Sequence, residues 1–136
     1  MTLTRRDREL IAEARRLIAA RYVPDRHHVA AAVRTKSGAM YTAVHLDTYV
    51  GRCSICAEAA AIARAATEGD GQITAIVAVR WRGRGEPKVV SPCGACRELL
   101  SDYGDPVVIY ATNGRLHKAR ASRLLPAKYA RPEEPR

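Results

Sequence analysis

The sequence predicts an α/β domain with one mixed sheet and helices packed on its faces. Three observations carry this. Segments of helical periodicity alternate with short apolar runs bounded by Gly, Pro and Asn turns. The element order reads α-β-β-α-β-α-β-β, which calls for a single mixed sheet. The chain has 136 residues, 47% of them apolar and none of them Phe, so Val, Ile, Leu and Ala must build the core of about one domain.

The elements follow in order. Thr4-Arg5-Arg6-Asp7 can cap a helix, because a Thr hydroxyl accepts from main-chain N–H groups of the first turn. Leu10, Ile11, Ala14, Leu17 and Ile18 then recur at helical spacing, and the helix is expected to end before Pro24. Val29 to Arg34 and Ala39 to Leu46 read as two strands of a hairpin joined at Thr35-Lys36-Ser37-Gly38. Asp47 to Ile55 reads as a loop. The Ala-rich segment from Cys56 to Glu68 should be helical, stopped by Gly69-Asp70-Gly71. Ile73 to Trp81 reads as a buried strand, and Val89-Val90 end a short one after the Arg82 to Pro87 loop. Pro92 to Asp102 fits a helix with Pro in its first turn. Val107 to Ala111 is a strand, Thr112 to Arg115 a turn, and Leu116 begins a last strand. Ser122 to Leu125 adds a helical turn. The domain is expected to span residues 1–130, with 131–136 a flexible tail.

Composition excludes several classes. The longest apolar runs, such as Ile73 to Val79, fall far short of the ~20 residues of a spanning helix, so no membrane partner is expected. The N-terminus becomes charged at once, so no signal peptide is expected and a cytoplasmic location follows. The four cysteines are then metal ligands or reactive thiols rather than disulfides. The net charge is +9, but the basic residues are scattered and mostly Arg. With no stripe of aromatic and basic residues, a nucleic-acid partner is not expected; an editing protein is the alternative that the charge keeps in view.

The chemistry sits in Cys53-x-x-Cys56 and Cys93-x-x-Cys96. A closed four-cysteine zinc site, and with it a non-catalytic zinc module, is one reading. A full helix and strand separate the pairs, however, and a closed site leaves Glu58 unexplained. The other reading joins Cys56-Ala57-Glu58 to Pro92-Cys93-Gly94-Ala95-Cys96, the general pattern of zinc deaminases: one ligand, Glu two residues on, then Pro-Cys-x-x-Cys. A catalytic zinc takes three protein ligands and keeps a fourth position open. Cys56, Cys93 and Cys96 supply three thiolates, each favoured by the positive end of an expected helix N-terminus. Glu58, in the first turn after Cys56, is placed to move protons at that open position. Cys53 is the spare thiol, read as a small apolar filler.

These residues resemble the cytidine deaminase family, including the blasticidin S deaminases, over nearly the whole chain from the first helix to Leu124-Leu125-Pro126. The resemblance implies a three-layer α/β/α fold around a mixed five-stranded sheet, a homotetramer or homodimer, and a Zn²⁺ cofactor. It implies hydrolytic deamination of a cytidine- or deoxycytidine-like nucleoside to the uridine form with release of ammonia. A nucleoside antibiotic or another small aminopyrimidine or amidine is the alternative substrate. The family's ribose-gripping Asn-x-Glu falls on His45-Leu46-Asp47, its base-stacking Phe on His27, and its C-terminal aromatic, lent by a neighbouring subunit, on Tyr129. Ala57 completes the substrate-facing set. Strand alternation puts His45 and Asp47 on one face, so they can act together. The Arg that follows Cys-Ala-Glu in three-cysteine members is Ala59 here, which leaves Arg52 or Arg97 to offset thiolate charge.

Overall fold

A computed structural model describes residues 1–133. The first helix, α1 (Arg5–Arg21), opens on the expected cap. The Thr4 hydroxyl accepts from the Asp7 N–H at 3.2 Å, and the Thr4 N–H donates to the Asp7 carboxylate at 2.7 Å. Then come β1 (Val29–Thr35), β2 (Met40–Val44), α2 (Ala57–Glu68), β3 (Ile73–Arg80), β4 (Lys88–Val90), α3 (Gly94–Asp102), β5 (Val107–Thr112) and β6 (Arg115–Arg120). A 3-10 turn follows at Ala121–Leu124.

Five strands form a continuous sheet in the order β2-β1-β3-β5-β6. Only β3 and β5 run parallel, so the sheet is mixed as expected. The short β4 pairs with Ala78 to Arg80 of β3, while β5 pairs with Ala75 to Val77, so both lie along one edge of β3. The alternation of strand side chains sorts the core into two halves. Ala30, Ala32, Val77, Val79 and Ile109 meet Leu10, Ile11, Ala14 and Ile18 of α1. Ala31, Val33, Ile76, Ala78 and Val108 meet Ala57, Ala61, Ile62 and Ala65 of α2 and Leu100 of α3. Helices thus cover both faces, giving three layers.

The small side chains decide how close these layers lie. Ala30, Ala31 and Ala32 of β1 and Ala57, Ala61 and Ala65 of α2 are completely buried. Ala31 meets the alanines of α2 on one face, and Ala30 and Ala32 meet α1 on the other, so both helices sit tight on β1 and an added methylene there has no space to enter. Gly69, which caps α2, continues this closeness: a Cβ at that position would fall 2.5 Å from the Tyr41 hydroxyl. At the far edge, Asn113 and Gly114 both take positive φ between Thr112 and Arg115, the two-residue turn that matches strand twist in a hairpin.

Several boundaries differ from the sequence reading. β2 stops at Val44 rather than Leu46; Leu46 instead forms an isolated bridge with Ile55. The loop before Cys56 contains a 3-10 turn, Gly51–Cys53. Pro92 lies before α3 and Cys93 is its N-cap, so the proline sets the approach to the helix rather than its first turn. Of the expected tail, residues 134–136 lie outside the described part of the chain.

One buried ion pair fastens α1 to the edge strand. The Lys118 ammonium donates to the Asp7 carboxylate at 2.6 Å, and both side chains are about one-tenth exposed. Burial alone would raise the Asp7 pKa, but the hydrogen bonds from Lys118 and Thr4 outweigh it and hold the carboxyl below its ordinary value. A depressed carboxyl adds stability above the unfolded pKa and loses it as pH falls through the folded one. Lys118→Met should therefore lower stability by about 3 kcal/mol at neutral pH, since it strands a buried carboxylate. Urea unfolding from neutral pH into acid is expected to show the gap to wild type closing only as Asp7 protonates.

Candidate metal centre and the adjoining histidine cluster

Two helix N-termini on one face of the sheet bring the sulfurs together. Cys56 is the N-cap of α2, Cys93 the N-cap of α3, and Cys96 lies in the first turn of α3. The sulfurs of Cys56 and Cys93 are 3.8 Å apart, and all three lie within 4.8 Å of one another. Zinc–sulfur bonds of ~2.3 Å at a tetrahedral angle separate their sulfurs by about 3.8 Å. A disulfide would need ~2.05 Å. The spacing suits one ion shared by three sulfurs. Cys96 is buried, Cys56 half-buried and Cys93 exposed, so the cluster opens on the Cys93 side.

The electrostatics favour a cation there. Burial pushes the Cys56 thiol up; burial, the Glu58 carboxylate and the neighbouring thiols push Cys96 far up. Burial raises Cys93 too, but the Cys96 and Ala95 main-chain N–H groups and the two other thiols carry it below its ordinary value. Three sulfurs so close cannot all be thiolates alone; binding a divalent ion expels the remaining protons. Glu58 follows in the first turn of α2, 7% exposed. Burial raises its pKa, against the pull of its own N–H and the Cys96 thiol.

Cys53 stands outside this group, so the closed four-cysteine arrangement is not formed. Nor is Cys53 a buried filler: it lies exposed at the end of the Gly51–Cys53 turn, because that turn lifts it off the sheet before the chain returns at Ile55. Arg97 does not turn its guanidinium to a sulfur. It donates to the carbonyls of Pro92 at 2.9 Å and Leu124 at 3.0 Å, tying the Cys93 loop to the C-terminal turn. Thiolate charge at Cys93 is met by main-chain N–H groups instead. Arg52 is exposed.

A second group lies at the end of the β1–β2 hairpin. The Leu46 N–H donates to the Ile55 carbonyl at 2.9 Å, and the Ile55 N–H to the Leu46 carbonyl at 3.0 Å. This bridge lays the end of the hairpin along the segment that leads into Cys56. Asp47 thereby comes within 3.4 Å of the Ser54 hydroxyl. His28, His45 and Asp47 have ligand atoms within 4.8 Å of one another. The His28 and His45 rings meet edge to face at 4.2 Å, and burial lowers the pKa of both. His27 Nδ1 is 2.8 Å from the His45 carbonyl oxygen. The sequence reading had named His27, His45 and Asp47 but missed His28. Its only signal was the His27-His28 pair, which alternation divides between two faces without saying which matters.

Ala57, completely buried, directly precedes Glu58. Tyr129 is 74% exposed in the C-terminal segment.

Comparison with known proteins agrees with this geometry. Residues 4–112 match the family model described as the cytidine and deoxycytidylate deaminase zinc-binding region. The chain is 44% identical over 134 residues to the blasticidin-S deaminase of Bacillus cereus, covering 95% of this chain and 96% of that one. It is 28% identical to a cytidine deaminase of Sporosarcina psychrophila over 90% of both chains. Among solved structures, the cytidine deaminase of Bacillus anthracis superposes with a TM-score of 0.77 at 27% identity, covering 90% of this chain and 88% of that one. A mutant cytidine deaminase of Mycobacterium tuberculosis gives 0.74 at 27% identity, covering 93% and 96%.

If the three sulfurs form the metal site, Cys96→Ser should abolish tight zinc binding, while Cys53→Ser should leave it unchanged. Zinc content of each purified protein after dialysis against a mild chelator checks this.

Proposed function

The chain belongs to the cytidine and deoxycytidylate deaminase family, and we propose that it hydrolyses the exocyclic amine of a cytosine nucleoside, with a nucleoside antibiotic of the blasticidin S type preferred over plain cytidine. The buried Glu58 carboxyl beside three clustered sulfurs carries the reaction class. The 44% identity to a blasticidin-S deaminase along almost the full length supports the substrate preference.

The net reaction adds water and releases ammonia without redox change. The water oxygen bonds to C4 of the base, the C4–N bond breaks, and the amino nitrogen leaves as ammonia. Zinc held by Cys56, Cys93 and Cys96 would supply the Lewis acidity that lets a water give up a proton near neutral pH. Glu58 accepts that proton and delivers it to the ring nitrogen, then takes the second proton from the hydroxyl now on C4 and gives it to the departing amine as the C4=O bond forms. Its burial suits the role, since a desolvated carboxyl holds and releases a proton more readily at neutral pH than an exposed one. Ala57 stands at the first position of α2, next to this carboxyl.

His45 and Asp47 face the sugar. The shorter Asp side chain and the imidazole replace the family's Asn and Glu, which changes both reach and hydrogen-bond pattern. Sites built around sugar hydroxyls reject mismatched analogues by factors on the order of 10⁴, so such a change redirects substrate choice. His27 takes the place of the base-stacking aromatic. Tyr129 serves a neighbouring copy in a homotetramer, a role its exposure permits. The exposed apolar residues Leu46, Tyr49, Val50 and Ile55 border the same region and suit burial between copies. Three reduced thiols suit a cytoplasmic setting.

Ammonia release from zinc-loaded protein with cytidine, deoxycytidine, cytosine and blasticidin S tests the reading. Glu58→Gln should keep its zinc and lose on the order of 10³-fold or more in kcat. His45→Asn should raise kcat/KM for cytidine relative to blasticidin S. An unchanged ratio would remove His45 from the sugar site, and no turnover of any cytosine nucleoside would remove the function.

A further inference from the structure

We propose that His28, His45 and Asp47 form a second divalent metal site, separate from the three sulfurs and taking a borderline ion such as Zn²⁺. Two imidazoles and one carboxylate are a donor set suited to zinc and its first-row neighbours, with positions left over for water or ligand. Here the three donors come from the start of β1 and the end of the β1–β2 hairpin, with ligand atoms already within 4.8 Å of one another.

The strongest sign is an unpartnered atom. Among the described residues, His45 Nε2 is the one buried side-chain nitrogen or oxygen with no hydrogen-bond partner. Such an atom carries a desolvation cost that a bound ligand removes. The other ring nitrogen explains how. His45 Nδ1 lies 3.2 Å from the Val29 N–H and 3.4 Å from the Val29 carbonyl oxygen. When Nδ1 accepts from the N–H, the ring proton sits on Nε2 and finds no acceptor. When Nδ1 carries the proton and donates to the carbonyl, Nε2 presents a lone pair towards a metal. A main-chain carbonyl on the far nitrogen is the usual partner that fixes a metal-binding imidazole. Ion binding thus selects the neutral tautomer with its proton on Nδ1, with no net proton released from His45.

The surroundings limit the affinity. Arg80 and Arg82 act on His28 with positive charge, opposed by Asp25 and Asp47. The site should therefore bind more weakly than the three-thiolate site and fill only once that one is full. An ion there would occupy groups assigned above to the sugar and so compete with substrate. That consequence rests on the proposed function; the ion binding does not.

The test uses zinc-loaded protein carrying Cys53→Ser, so that the exposed thiol adds no site. Equilibrium dialysis against buffered free Zn²⁺ should show a second, weaker equivalent. His28→Ala and Asp47→Asn, each added to this protein, should lose that equivalent and keep the first, whose retention reports that the variant is folded. Imidazole nitrogen NMR of the parent, which needs no further variant, should show the His45 proton on Nδ1 and the Nε2 signal shifting as Zn²⁺ is added beyond the first equivalent. Absence of a second equivalent, its survival in either variant, or a His45 Nε2 signal that the second equivalent leaves unmoved would overturn the proposal.

Discussion

Three sulfurs packed within 4.8 Å of one another, with a buried carboxyl acting on them, form a group able to hold a cation. Each thiolate would repel the others and Glu58, and burial already resists ionisation at Cys56 and Cys96. The protein brings little side-chain charge to offset this. Its Arg97 is committed to two carbonyls. What remains is the N-terminal dipole of two helices and the ion itself. The rest of the molecule can be understood as the scaffold that sets those two helix ends side by side.

That scaffold depends on small residues. α2 lies on β1 and β3 through alanines that are completely buried, which fixes its distance from the sheet and with it the place of Cys56 and Glu58. α3 leads from β4, which pairs with β3, to β5, which runs parallel to β3, and it begins shortly after β4 ends. The Arg97 clamp then holds the Pro92-Cys93 approach against the C-terminal turn. On the opposite face, α1 supplies the larger aliphatic side chains and is anchored at its first turn by Asp7 and Lys118. The two helix ends that carry sulfur therefore share one face, across the sheet from α1.

Much of this was legible in the residues. Thr4 and Asp7 announced the first cap, the Ala run announced α2, and Cys56-Ala57-Glu58 with Pro92-Cys93-Gly94-Ala95-Cys96 announced the sulfur cluster. These are local signals, or a spacing whose chemistry admits few answers. What escaped depended on contacts far apart in sequence. The apolar residues Val44 and Leu46 looked like one strand, but bridging to Ile55 detaches Leu46 from β2. Cys53 resembled a buried small residue by type and lies exposed because a 3-10 turn lifts it. His28 gained meaning only through the register that sets β1 beside the end of β2, which no single segment encodes.

Zinc in this protein would be held by Cys56, Cys93 and Cys96, with a fourth position open beside Glu58. X-ray absorption at the zinc edge, on protein loaded with one equivalent, tests it most directly. Three sulfur neighbours at ~2.3 Å and one oxygen or nitrogen at ~2.0 Å are expected. Four sulfur neighbours, or a shell dominated by nitrogen and oxygen, would contradict it.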